Sequence, residues 1–149
     1  MVPVIDVTTH LDVDRPAAEV FTFVSDHLNA PLWQNGLHEV RRTTDGPIGV
    51  GTEHVFVRRF AGRRIESRNR FIEFEPDRYV AFEIPDGKIT GRASYLVEPN
   101  GDDRCHLTST MQFNINGWMR ITEPLLARVL ERDSRRDEQA LKRHLESNS

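Results

Sequence analysis

Residues 104–145 read RCHLTSTMQFNINGWMRITEPLLARVLERDSRRDEQALKRHL, and the hydrophobic period changes partway along them. From Arg104 to Ile115 the odd positions carry Cys105, Leu107, Ser109, Met111, Phe113 and Ile115, while Arg104, His106, Thr108, Thr110, Gln112 and Asn114 alternate with them. A repeat of two is a half-buried strand. From about Thr122 the repeat becomes helical. Pro124 suits a first turn, and Leu126, Val129, Leu130, Ala140 and Leu141 gather on one side of the wheel. A helix running to Leu145 spans roughly 36 Å at 1.5 Å per residue. Asp133, Asp137 and His144 fall inside its apolar stripe, the one local rule this helix breaks.

Upstream of this junction the chain is mostly strand. Val4 to Val13 alternates, with Ile5, Val7, Thr9, Leu11 and Val13 on one face. Asp14-Arg15-Pro16 stops it, and Ala17, Val20, Phe21 and Val24 then make a helical stripe. A second short helical piece runs towards Trp33. Strand-like segments follow at Leu37–Thr44, Thr52–Phe60, Arg63–Phe74, Arg78–Ile84 and Lys88–Val97, joined by connectors such as Glu75-Pro76-Asp77 and Pro99-Asn100-Gly101-Asp102. Such short Pro/Gly/Asp links join antiparallel neighbours. An antiparallel sheet with one late helix buries itself by curling and laying the helix over its concave face. Where the two do not meet, the gap is a pocket suited to small apolar molecules.

Composition narrows the classes. The chain has 149 residues, the usual size of one domain. Its net charge of −3 is too near zero to predict nucleic acid as a partner. Cys105 is the only cysteine, which leaves no disulfide framework. The N-terminus lacks a signal peptide pattern, and no stretch approaches the 18 or so apolar residues of a membrane span. The expectation is a soluble, cytoplasmic protein.

Several residues could carry chemistry. Asp133 and Asp137 read as an acid or base aimed into a cavity, as partners of sheet arginines, or as a stripe that surfaces where the helix leaves the sheet. His54 shares a face with Phe56 and Phe60, which makes it a proton relay in an apolar pocket or a hydrogen-bonded core histidine. No HxH, HExxH or CxxC occurs, so no metal is expected, and no cofactor either. Gly46-Pro47-Ile48-Gly49-Val50-Gly51 leads into a strand rather than a helix and reads as a turn, not a phosphate loop. Arg58, Arg59, Arg63, Arg64, Arg68 and Arg70 share one predicted hairpin with Glu66 and Glu73, which reads as a solvated face rather than a patch for nucleic acid or anionic lipid.

Val13-Asp14-Arg15-Pro16-Ala17-Ala18-Glu19-Val20-Phe21-Thr22-Phe23-Val24-Ser25-Asp26, together with Trp33, resembles the opening of the polyketide cyclase/dehydrase and lipid-transport family of the START/Bet v 1-like (SRPBCC) superfamily. Phe71–Arg78 resembles its mid-sheet turn and Tyr95–Gly101 its later hairpin. The resemblance implies an α+β helix-grip fold over residues 1–149: a seven-stranded antiparallel curved sheet wrapped around a long C-terminal helix, with two short helices after the first strand.

The expected function is binding or transport of a small hydrophobic or amphipathic ligand (a lipid, polyketide or aromatic metabolite) in that cavity. On the assigned faces the lining is Trp33, His54 and Phe56, then Asn69, Phe71 and Tyr95, then Ser109, Met111 and Phe113, with Trp118 and Leu126 closing it. Both tryptophans are placed at the mouth. One alternative is a cyclase or dehydratase using His54, Tyr95, Asp133 or Asp137 for acid/base catalysis. Another is a protein-interaction module with a vestigial pocket. The expected state is monomer or homodimer.

Overall fold

Asp14-Arg15-Pro16 is where the chain leaves β1 (Val4–Val13) and enters α1 (Ala17–Ser25). The Pro16 carbonyl accepts the first helical bond from Val20 N–H at 3.1 Å, and Pro16 itself lacks only a donor the helix start would not use. Asp26 ends α1 in an extended conformation, and its carboxylate accepts from Leu28 N–H at 3.1 Å to cap a 3-10 helix, His27–Leu32. Six further strands follow: β2 (Leu37–Arg42), β3 (Glu53–Phe60), β4 (Arg63–Glu75), β5 (Tyr79–Ile84), β6 (Ile89–Pro99) and β7 (Cys105–Ile115). α2 (Glu123–Ser147) comes last. The computed structural model describes residues 4–60, 62–86, 89–115 and 123–147.

The strands form one sheet in the order β1-β7-β6-β5-β4-β3-β2, every neighbour antiparallel. Register shifts between Leu37 and Glu39 and between Phe71 and Glu73 bend the sheet. The turn from β4 to β5 sets Pro76 ahead of Asp77, whose φ of 64° is left-handed, and closes with Arg78 N–H donating to Glu75 O at 3.1 Å.

The core lies on the concave face. Leu11, Val13, Phe71, Val80, Val97 and Leu107 from the sheet meet Val20, Phe21 and Val24 of α1 and Leu141 and Leu145 of α2. Burying each such leucine or phenylalanine contributes roughly 1.5–3 kcal/mol. Arg15 fastens the end of α2: its guanidinium donates to the carbonyls of Leu145 and Glu146, both at 3.0 Å. A cation at free helix carbonyls is favourable. The arrangement is the helix-grip fold the sequence implied. Element bounds differ from the expected ones by one or two residues, as at Tyr79 rather than Arg78 and Pro99 rather than Val97.

Candidate functional site

β3, β4, β5 and β6 each send an aromatic or polar side chain to the concave face, and the 3-10 helix adds one from above. His27 sits among Phe56, Phe71 and Phe82, with ring centroids 5.1, 4.9 and 4.5 Å away in edge-on geometry. His54 lies 5.0 Å from it. The Asn69 amide nitrogen is 3.2 Å from His27 Nδ1. His27, His54 and Asn69 are buried, yet His27 Nε2, both His54 nitrogens and Asn69 Oδ1 have no hydrogen-bond partner among the described residues. Burial, reinforced by His54, pushes the His27 imidazole down to about 3. Burial likewise pushes His54 down to about 4, with Asp26 opposing and Arg42 assisting. Both rings are therefore neutral at pH 7, each with one donor and one acceptor.

A second group occupies the end of the concave face nearer α2. Arg58 turns inward beside His54 and Phe56: its guanidinium carbon is 5.8 Å from the Phe56 ring centroid and Nη2 donates to Gln34 Oε1 at 3.0 Å. Asp137 Oδ1 accepts from Asn35 N–H at 3.0 Å. Burial raises the Asp137 carboxyl, and the Asn35 N–H and the Arg58 charge hold it back. Glu138, next along α2, is buried and accepts from the Thr9 hydroxyl. Burial lifts its carboxyl too. Tyr95 is buried with its ring 6.3 Å from Trp33, and desolvation followed by the Glu138 charge lifts its phenol above the usual range. It is thus a neutral donor at pH 7.

The structure brings most of the predicted lining together. Trp33, His54, Phe56, Asn69, Phe71, Tyr95 and Ser109 are all buried. Met111 is half-buried between this cluster and a smaller one, in which Phe113 packs on Ile5 and Val7. Trp118 and the side chain of Leu126 lie outside the described residues. Asp133 departs from its predicted inner position: its side chain is 42% exposed, between Arg136 at 3.4 Å and Arg132 at 3.7 Å. The buried stripe of α2 runs through Glu138, Leu141 and Leu145, which turns Asp133 to its solvent edge. His144 stacks on Phe23, centroids 5.1 Å apart.

The sequence reading missed His27, Arg58 and Glu138. Arg58 had a signal, since it shares parity with His54 and Phe56, while the other arginines of its hairpin are exposed. His27 had none, because a 3-10 turn has no periodicity long enough to read. Two open concavities mark the surface elsewhere. One, about 510 Å³, lies between α1 and the end of α2 beside Phe23 and His144. The other, about 500 Å³, lies on the convex face beside Glu83, Arg92 and Gln112. None of the described lining residues borders either.

Residues 4–146 match the family described as polyketide cyclase / dehydrase and lipid transport. No curated protein matches the chain. Among solved structures, the ZhuI aromatase/cyclase from Streptomyces sp. R1128 superposes with a TM-score of 0.80 at 18% identity over 97% of this chain and 94% of that one. A START superfamily protein from Mycobacterium smegmatis gives 0.79 at 14% identity, covering 97% and 99%. Norcoclaurine synthase from Thalictrum flavum, a point mutant in complex with a transition-state analogue, gives 0.66 at 18%, covering 97% and 98%. At these identities the likeness is one of fold.

Proposed function

The chain belongs to the polyketide cyclase / dehydrase and lipid transport family, and from that premise we propose that it binds a small hydrophobic or amphipathic molecule between the concave face and α2. One observation carries the reading. An aromatic wall of Phe56, Phe71, Phe82 and Tyr95 encloses four polar atoms, on His27, His54 and Asn69, that have no partner among the described residues. Buried polar atoms are nearly always paired, and each unpaired one costs roughly 1–3 kcal/mol. A ligand hydroxyl or carbonyl that reaches them offsets that cost. Apolar walls with a few converging hydrogen-bonding groups are what such a site requires. Half-buried Arg58, Gln34 and Asp137 form the entrance in this reading, and the domain works as a single unit in the cytoplasm.

One observation favours a catalytic second reading. Asp137 is held above the usual carboxyl range, within the electrostatic reach of Arg58. A carboxyl tuned in this way is suited to proton transfer, and cyclisation or dehydration of a polyketide-like substrate is the matching chemistry. Native mass spectrometry of detergent-free protein tests both. A co-purified apolar molecule, with saturable quenching of Trp33, supports binding. Its conversion by wild type and not by Asp137→Asn supports catalysis. A panel of fatty acids and aromatic metabolites showing no saturable binding by calorimetry would refute the pocket.

A further inference from the structure

The convex face carries a histidine pair unrelated to the concave site. β1 and β7 are neighbours, with Asp12 opposite His106 and His10 opposite Thr108. His10 Nδ1 lies 3.1 Å from His106 Nε2. On the far edge of the His106 ring, Nδ1 lies 2.8 Å from Asp12 Oδ1. Thr108 Oγ1 is 3.4 Å from His10 Nδ1. His10 and Asp12 are exposed and the His106 side chain is 35% exposed.

The geometry points to a divalent transition-metal site formed by His10 Nδ1 and His106 Nε2, with Asp12 orienting His106. A carboxylate only accepts, so the Asp12 contact places the His106 proton on Nδ1 and leaves the Nε2 lone pair bare. A carboxylate behind a ligating imidazole is the usual outer support of a metal-bound histidine. Two nitrogens 3.1 Å apart can share an ion at metal–nitrogen distances of about 2.0–2.1 Å with an angle near 100°. That angle lies between square-planar or octahedral and tetrahedral values. Binding requires that His10 move its proton to Nε2 and that the two rings, now nearly end to end with centroids 5.2 Å apart, turn their facing nitrogens towards the ion. It exchanges the histidine–histidine hydrogen bond for two coordinate bonds. Asp12 sits on the wrong edge of His106 to ligate the same ion. Among the described residues no group of three or more His, Cys, Asp or Glu side chains makes a metal cluster, so water completes the shell. Lys142 and Arg104 stand near Asp12, and their charge weakens the site without occupying it. Imidazole ligands and water suit Cu²⁺ most, ahead of Ni²⁺ and Zn²⁺.

The test is a Cu²⁺ titration of untagged full-length protein by calorimetry at neutral pH in a non-coordinating buffer, with electron paramagnetic resonance reading the nitrogen ligands. One Cu²⁺ per chain with two nitrogen couplings is expected. His10→Gln and His106→Gln each weaken it by roughly tenfold or more, the double variant abolishes it, and Asp12→Ala weakens it by roughly 10–100-fold. His38→Gln, an exposed histidine on β2, leaves it unchanged. Circular dichroism confirms that each variant is folded. No stoichiometric binding by wild type, or binding that survives the double variant, overturns the assignment.

Discussion

The Thr9 hydroxyl on β1 donates to the Glu138 carboxylate on α2, and this buried bond joins the first strand to the last helix. Burial raises the Glu138 carboxyl above 4.5 and the Thr9 bond only partly offsets it. The folded state therefore holds the proton more tightly than the unfolded chain, and stability falls as pH rises from about 4.5 through the folded pKa. Glu138→Gln should raise stability at pH 7 by on the order of 1 kcal/mol, with the gain fading below about pH 4.5. Urea denaturation at two pH values reads this directly. A loss at neutral pH would mean that the ionised pair is net stabilising.

His27 and His54 act in the opposite sense. Their folded pKa values, about 3 and about 4, lie below the ordinary 6.5. The unfolded chain takes up these protons first, so the stability the two provide is complete above pH 6.5 and drains away as pH falls towards 4. Thermal melting should drop steeply over that range. His54→Phe removes two unpartnered nitrogens and keeps an aromatic ring. It should be neutral or stabilising by up to about 2 kcal/mol at pH 7 and should flatten the acid limb. An unchanged acid limb would show that His54 does not titrate across this range.

Arg58 and Asp137 sense each other without a direct ion pair: the Arg58 charge lowers the Asp137 carboxyl, and Asp137 raises Arg58. Arg58→Met keeps the stem and removes the charge. The Asp137 titration, followed by carboxyl carbon NMR, should move to higher pH. A stationary titration would leave burial, the Asn35 N–H and the nearby Asp133 and Arg136 charges as its determinants.

Gly91 lies where β6 presses on β7. A Cβ there would stand 2.2 Å from Gln112 O and 2.9 Å from the Phe113 ring. The oxygen is backbone and cannot swing aside, so Gly91→Ala must part the two strands. The expected loss is about 3 kcal/mol or more, measured by chemical denaturation. A change under about 0.5 kcal/mol would show that the ladder yields locally.

Most elements were legible because one period runs through most of their length. Val4–Val13 alternates to its end, and Pro/Gly/Asp links punctuate the strands. The site was legible chiefly where parity carries through a strand, as from Asn69 to Phe71. Besides misplacing Asp133, the sequence reading missed three residues for distinct reasons. Arg58 obeys parity, but its charge argues for water until Gln34 and the Phe56 face are known to receive it. Glu138 lies beside Asp137, and a wheel resolves neighbours 100° apart only when the packing direction is known; here Leu141 and Leu145 set it. His27 projects from a 3-10 turn, where backbone geometry follows the Asp26 cap rather than any hydrophobic repeat.

The pairing of β1 with β7 has a consequence for synthesis on the ribosome. Val13 faces Cys105, 92 residues further along (105 − 13), and the rest of the β1 ladder closes on residues made later still. At translation rates of roughly 5–20 residues per second, β1 waits about 5–18 s for its partner to be made. Meanwhile the apolar row Ile5, Val7, Leu11 and Val13, all buried at the end, has neither sheet neighbour nor helix to cover it. The middle strands can zip in order as they emerge, since each meets its sequence neighbour. The nascent chain is thus most open to aggregation along β1, and a holding chaperone would find its binding segment there.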